Sequence, residues 1–313
     1  MKLSPLFWPV QLKGKAIYVL DETLLPQRVH YIKVTTYRQA CRVIREMKTR
    51  AVGQVILVFY TFLMVMRRNK KKKNLTPLLH KVAQALNSSR PTLSFRYLTN
   101  LVLGWQDTSA PLEQSILRFL EMLKAKRIEQ AEEMSKLLAD GDVVLTHCNV
   151  SGLMPLIAQF AKKQNKGVRF FVTETRPYLQ GVRLSAWELK RAGLAVTVIA
   201  DNMVAQVMSE GKINKVIVGA DNLAQNGDFA NKIGTYQIAL LAKNFNLPFY
   251  VLCPPASEAK TGKEIKIEIR PDKELLFFKG VRLAPKGVRG YYPAFDITPC
   301  NLVTKHIRLE LSR

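Results

Sequence analysis

Acidic residues are scarce in this chain. Among 313 residues, 24 Asp and Glu stand against 48 Lys and Arg, a formal net charge of +24. Histidine is rarer still, at 4, and the 4 cysteines (Cys41, Cys148, Cys253, Cys300) form no CxxC pair and no zinc-like spacing with histidine. That argues against a structural zinc site and a disulfide framework, so the thiols read as reduced, in a cytoplasmic protein. No GxGxxG and no GxxxxGK[ST] occurs, which argues against dinucleotide and P-loop sites. Residues Met1–Val10 lack the long apolar core and cleavage site of a signal peptide. The longest apolar stretch, Ala51–Met66, contains Gly53, Gln54 and Thr61. It falls short of the roughly 20 residues of a spanning helix. It reads as a buried helix whose end is favourably flanked by the basic run Arg67–Lys73, and no membrane partner is expected.

The charge is unevenly spread. Residues 1–110 carry 19 Lys/Arg and 4 Asp/Glu, the remainder 29 and 20. No nucleic-acid-binding motif accompanies the excess, so nucleic acid is not an expected partner. A basic solvated surface that attracts a phosphorylated small molecule accounts for it.

What is present is a change of pattern along the chain. Residues 16–35 alternate apolar and polar positions, a small strand element. Tyr37–Met47, Gln54–Met66, Leu75–Leu86 and Pro91–Leu103 read as helices, the last with Ser89 near its start and proline in its first turn. Residues 112–138 read as one long amphipathic helix. Strands at 143–146, 168–173, 195–200, 215–219 and 248–253 then alternate with helices near 152–165, 184–193, 202–211 and 231–246. This predicts an α/β fold: a Rossmann-like doubly wound parallel sheet domain, residues 111–313, preceded by a smaller, mostly helical domain, residues 1–110.

Two short runs locate the chemistry. Val143-Val144-Leu145 and Val216-Ile217-Val218 are fully apolar, as buried parallel strands are. Thr146-His147-Cys148-Asn149 follows the first at once, and Gly219-Ala220-Asp221, two small residues and a carboxylate, the second. Ligands bind beyond the carboxyl ends of such strands, so Cys148 and Asp221 are expected to face one crevice. A thiol near a positive group or helix start becomes a base or nucleophile; the alternative for Cys148 is an inert core thiol. A desolvated carboxyl at Asp221 would be held protonated and could act as an acid; the alternative is a helix cap or turn. His147 is adjacent to Cys148, and adjacent turn residues point apart, so a Cys–His hydrolase pair is not favoured. Candidate phosphate donors are Arg90, Arg176 and Asn231-Lys232, the last expected to open a helix. Glu174 and Asp201 lie at strand ends, where orienting and capping roles suffice.

These residues, with Leu20–Pro26, Ser89–Thr92, Glu174–Pro177, Gln180–Leu189, Asp201–Met203, Asn226–Asp228, Asn231–Thr235 and Pro293–Pro299, run in one order over nearly the whole chain. Together they resemble the 5-methylthioribose-1-phosphate isomerase family. Its wider superfamily holds ribose-1,5-bisphosphate isomerases and the regulatory subunits of the eukaryotic translation-initiation guanine-nucleotide exchange factor. The resemblance implies an aldose–ketose isomerase of methionine salvage, cofactor none, acting on a sugar phosphate as a homodimer. It assigns Cys148 and Asp221 to catalysis and Arg50, Arg90, Gln180, Asn231 and Lys232 to substrate binding. Other pentose 1-phosphates, ribose 1,5-bisphosphate, and a non-catalytic role binding RNA or protein remain the alternatives.

The chain also departs from the pattern it resembles. The family reads Arg-Gly-Ala-Pro-Ala-Ile-Gly where this chain has Arg50-Ala51-Val52-Gly53-Gln54-Val55-Ile56. Ala51 cannot adopt positive φ cheaply. The stretch after Cys148 is about seven residues shorter than the family's. Tyr292 stands in place of an asparagine, and Phe95 in place of another.

Overall fold

The computed structural model describes residues 2–90 and 95–311. They form two compact units, Leu3–Lys126, and Lys2 with Arg127 onward.

The first unit opens with an antiparallel sheet, β1 (Val10–Lys13), β2 (Ala16–Leu20) and β3 (Tyr31–Val34). Helices α1 (Tyr37–Arg45), α2 (Val52–Arg68), α3 (Thr76–Asn87) and α4 (Arg96–Gly104) follow. Thr36 caps α1 in a reciprocal capping box with Gln39. The apolar stretch is α2, whose residues from Val52 to Val65 are buried apart from Val55 and Tyr60, as expected for a core helix. Among the described residues no helix is long and apolar enough to cross a membrane. Ser89 does not start the next helix. Its hydroxyl donates to Leu86 O at 2.6 Å, closing α3, and α4 begins at Arg96. The expected proline first turn, residues 91–94, lies outside the described residues. Phe59, Trp105 and Phe119 cluster in the core, with the Phe59 and Phe119 centroids 4.6 Å apart. Phe119 comes from the long helix α5 (Leu112–Lys136), which contributes residues to both units.

The second unit continues with β4 (Val143–Thr146), α6 (Leu153–Lys163), β5 (Arg169–Thr173), a π-helical turn (Gly181–Ser185), α7 (Ala186–Arg191), β6 (Val196–Ile199) and α8 (Val204–Ser209). Then come β7 (Lys215–Gly219), β8 (Asn222–Leu223), β9 (Phe229–Lys232), α9 (Thr235–Asn244) and β10 (Phe249–Cys253). The chain ends with α10 (Lys273–Leu276), β11 (Phe277–Phe278), β12 (Val281–Arg282), β13 (Phe295–Thr298) and β14 (Lys305–Arg308). The main sheet is wholly parallel, in the order β14-β10-β7-β4-β5-β6. The five expected strands are present and β14 adds a sixth. The order reverses between β4 and β7, which are neighbours (Leu145 opposite Val216) although β5 and β6 lie between them in sequence. This is the doubly wound order, with its ligand crevice at the reversal. Both strands are buried in apolar surroundings (Val144, Leu145, Val216, Ile217 and Val218 are 0% exposed), which is why neither alternates.

One expectation fails here. Asn231 and Lys232 do not open a helix; they end strand β9, paired antiparallel with β13 (Asn231 opposite Asp296, Lys232 opposite Phe295). Gly234, at φ +103°, then turns the chain into α9. Antiparallel pairing, which cannot be read from the helical spacing of residues 235–244, decides the boundary.

Ala51 is the residue in an unfavourable conformation ahead of α2, at φ 43°, ψ −120°, without a side-chain cap. Its side chain is exposed, so nothing packs in return. Such a conformation costs on the order of 1–3 kcal/mol for a non-glycine residue, against roughly 0.5–1 kcal/mol of extra chain entropy lost by glycine. Ala51→Gly is therefore expected to stabilise the protein by about 1 kcal/mol, read as a shift of the urea midpoint at unchanged slope.

Candidate active site

The turn after β4 is held from three sides. His147 is 2% exposed, and its Nε2 lies 2.9 Å from Ile233 O, between β9 and α9, while Nδ1 lies 2.6 Å from Thr173 Oγ1 at the end of β5. A backbone carbonyl only accepts, so Nε2 carries the proton and Nδ1 accepts from the threonine. Burial, with the Lys232 charge adding to it, pushes the imidazole pKa below its ordinary value against the opposing Ile233 bond and Asp201 charge, and the ring is neutral. Both nitrogens are engaged, so His147 is not the base for its neighbour. It is a strut joining β4, β5 and the β9–α9 junction. Gly234 suits its place twice over, since a Cβ on it would lie 3.2 Å from the His147 ring and its φ is left-handed.

Cys148 itself is half-buried, with φ 64° in the left-handed region that cysteine rarely visits. Hydrogen bonds hold it there. Its N–H donates to Thr175 Oγ1 at 2.9 Å, and its carbonyl accepts from Ser185 Oγ at 2.6 Å. Thr175 is fixed in turn, because Asp201 takes the N–H groups of Thr175 and Arg176 on its two oxygens, both at 2.7 Å. Asp201 thus has the orienting role that its strand-end position suggested. Asn149 donates to Ser185 Oγ (3.0 Å) and to the buried Glu188 (2.8 Å). Arg127, also buried, donates to Ser151 O at 2.6 Å and feels Glu188; burial lowers its guanidinium pKa to about 10 against that carboxylate. Strain at one residue, over-determined by its surroundings, is characteristic of working sites.

Cys148 and Asp221 follow the two strands that adjoin at the β4–β7 reversal. Asp221 follows β7; its N–H donates to Ala230 O at 2.8 Å, tying it to β9 and so to Asn231 and Lys232. A Cβ at Gly219 would lie 3.2 Å from Val150 Cγ1, so the turns carrying Cys148 and Asp221 pack closely. Asp221 is exposed, not desolvated as expected, because it lies just past the last β7–β10 hydrogen bond, Ala220 N–H to Leu252 O. Asn231 is buried and donates to Thr235 Oγ1 at 2.9 Å. Gln180 precedes the π-helical turn whose last residue, Ser185, braces Cys148; its Oε1 is buried and has no hydrogen-bond partner among the described residues.

Lys232 is 7% exposed, its ammonium 4.9 Å from the Phe295 ring centroid, 5.7 Å from that of Tyr292 and 3.5 Å from the Tyr292 hydroxyl. Burial raises the Tyr292 phenol pKa; Glu274, Tyr178 and Cys148 add to it and Arg270 opposes. Tyr292 beside Lys232 is therefore neutral. Arg176 is drawn to the 273–278 segment, donating to Leu275 O at 3.3 Å with its guanidinium over the Phe278 ring. Among the described residues no group of three His, Cys, Asp or Glu side chains is placed to hold a metal ion.

Arg50 and Arg90 belong to the first unit. Arg50 makes a two-nitrogen contact to Glu22 Oε2, both at 3.2 Å, and its N–H also donates to Glu22 Oε1. Arg90 donates to Gln54. Thr173, Thr175, Ser185 and Asp296 are not singled out by the sequence as individual site residues. The signal available for them was that each lies in or beside the motif stretches.

The fold is thus a doubly wound α/β unit with a thiol and a carboxylate at its switch point, next to a separate, mostly helical unit. Residues 51–308 match the Initiation factor 2 subunit family, to which the chain belongs. It is 37% identical to the methylthioribose-1-phosphate isomerase 1 of Pseudothermotoga lettingae, over 94% of this chain and 91% of that one. It is 35% identical to the methylthioribose-1-phosphate isomerase of Desulforudis audaxviator, over 97% and 92%. A crystal structure of 5-methylthioribose 1-phosphate isomerase from Pyrococcus horikoshii superposes with a TM-score of 0.83 at 31% identity, covering 96% of this chain and 90% of that one. One titled translation initiation factor eIF-2B, subunit delta, from A. fulgidus does so with 0.82 at 32%, covering 97% and 94%.

Asp296 supplies a pH test of the site's frame. It accepts from Gly234 N–H (2.7 Å) and Tyr236 N–H (3.1 Å) at the start of α9, and burial outweighs those bonds and Lys232 to raise its pKa from 3.8 to about 6. The folded state then binds this proton more tightly than the unfolded one, so its contribution is full below about pH 4 and lost as pH rises through about 6. Stability of wild type relative to Asp296→Asn is expected to rise as pH falls from 6 to 4, measured by urea denaturation at each pH.

Proposed function

We propose that this protein is an aldose–ketose isomerase converting 5-methylthioribose 1-phosphate to 5-methylthioribulose 1-phosphate. The observation that carries it is the placement of Cys148 and Asp221 on adjacent strand ends at the sheet reversal, in a chain more than a third identical to proteins of that name. The similar solved structures include both an isomerase and an initiation-factor subunit, so the chemistry of the pair has to separate the two readings.

The substrate's anomeric oxygen is phosphorylated, so no free aldehyde can form and the ring must open as the double bond develops. Cys148, as thiolate, takes the proton from carbon 2. The carbon 1–ring oxygen bond breaks, its electron pair leaving with the ring oxygen, which Asp221 protonates. The product is an enol with its double bond between carbons 1 and 2. Asp221, now a carboxylate, takes the proton from the carbon 2 hydroxyl while the Cys148 thiol returns its proton to carbon 1. That leaves a ketone at carbon 2 and a methylene bearing the phosphate, with both side chains restored. Substrate over the exposed Asp221 supplies the desolvation that raises a carboxyl's pKa. Gln180, with its unsatisfied buried oxygen, Asn231 and Lys232 bind the sugar phosphate with Arg50 and Arg90.

The protein works as a cytoplasmic homodimer in this reading. Val198, Met203, Tyr236 and Leu240 are large apolar residues left 39–50% exposed, the last two one turn apart on α9, a surface suited to a second copy. Leu240→Glu is expected to shift the protein to monomer in sedimentation velocity; wild type sedimenting as a monomer would remove this part.

Turnover of the aldose phosphate by purified protein is the direct test. Cys148→Ser and Asp221→Asn should each reduce kcat by about 10²–10⁴-fold with thermal midpoints retained. A well-folded wild type without turnover, alongside salt-sensitive RNA or protein binding, would favour a regulatory role instead.

A further inference from the structure

Arg50 and Arg90 are joined by one buried hydrogen-bond chain. Glu22, 6% exposed, takes the Arg50 guanidinium on Oε2 and the Thr49 hydroxyl on Oε1 at 2.6 Å. Thr49, fully buried, passes its carbonyl to Gln54 Nε2 at 2.9 Å. Gln54, in the first turn of α2 and also 0% exposed, accepts from Arg90 Nη1 on Oε1 at 2.9 Å. Its Nε2 also has Met47 Sδ at 3.6 Å.

The amide is the group this position needs. Its carbonyl end must face the guanidinium, which only donates, and its amino end must face the Thr49 carbonyl, which only accepts. Leu or Met would satisfy neither partner. A carboxylate would leave the Thr49 carbonyl without a donor and bind Arg90 as an ion pair. The neutral oxygen holds one N–H of the five and leaves the guanidinium's charge uncompensated by that contact. Arg50 has the opposite arrangement, since a full carboxylate faces it. In the pattern the chain resembles, alanine stands at this position, which can make neither bond.

We propose that Gln54 is a positioning residue that orients Arg90 toward the substrate's phosphate. The proposal rests on the reading of Arg90 as a substrate-phosphate contact. It gives the altered Arg50–Ile56 segment a means of holding an anion-binding arginine in place without the family's glycine and proline.

The test is calorimetric titration of the full-length protein with inorganic phosphate, together with KM and kcat for the sugar phosphate, in wild type, Gln54→Met, Gln54→Glu and Arg90→Ala. Loss of a hydrogen bond to a charged group predicts phosphate binding weakened by about tenfold or more in Gln54→Met; in Gln54→Glu the added carboxylate pairs with Arg90 in competition with the anion, which predicts a similar loss, with KM raised more than kcat is lowered in both. Gln54→Glu keeps the shape of the side chain and carries the test if Gln54→Met does not fold. Phosphate binding lost in Arg90→Ala but kept within about twofold of wild type in a folded Gln54 variant overturns the proposal alone. A folded wild type that binds no phosphate removes the reading of Arg90 beneath it, and the proposal with it.

Discussion

The neutral imidazole of His147 is the contact on which the rest of the site depends. It accepts a hydrogen bond from Thr173 and donates one to Ile233 O, so three chain segments meet at one buried ring. Burial keeps the ring neutral, and neutrality is what allows one nitrogen to accept. Cys148 is the next residue, and its left-handed backbone follows from where that strut ends and where Thr175 and Ser185 seize its N–H and carbonyl. The residue that looks most like a catalytic partner of the cysteine is instead what locates it.

The same logic extends outward. Asp201 holds Thr175, which holds Cys148; Glu188 holds Asn149; Asp296 fastens the start of α9 just after Lys232. Most of the site's buried polar groups serve position and few are left for chemistry. Such preorganisation is what a reaction through an unstable open-chain intermediate requires. The departures from the family pattern fall in the holding groups. Tyr292 stacks over Lys232, and Ala51 accepts a conformation suited to glycine.

Much of this was legible in the chain. The apolar runs before Cys148 and Asp221 announce buried parallel strands, because a strand covered on both faces has no polar side to alternate with. Their polar successors mark the carboxyl ends where ligands bind. The burial of the apolar stretch in α2 followed from its length and its polar interruptions. Three things were not legible. The strand at Phe229–Lys232 exists through pairing with residues more than sixty positions later, which local spacing cannot encode. Asp221 lies beyond the last β7–β10 hydrogen bond, at the step from the main sheet into the β8–β9 pair, and its exposure depends on that long-range pairing. Gln54, inside an apolar helix, gives no sign of a partner 36 residues away.

The sequence by itself determined the fold class, the pairing of a thiol with a carboxylate at strand ends, and the likeness that assigns them a reaction. These depend on hydrophobic period and residue order, which are local or collinear properties. Tertiary structure decided that His147 is a strut and not a base, that Lys232 lies between two aromatic rings, and that Arg90 is held by a neutral amide. Each depends on which acceptor or donor faces a buried polar atom across long sequence separation, and that is settled only when the chain has packed.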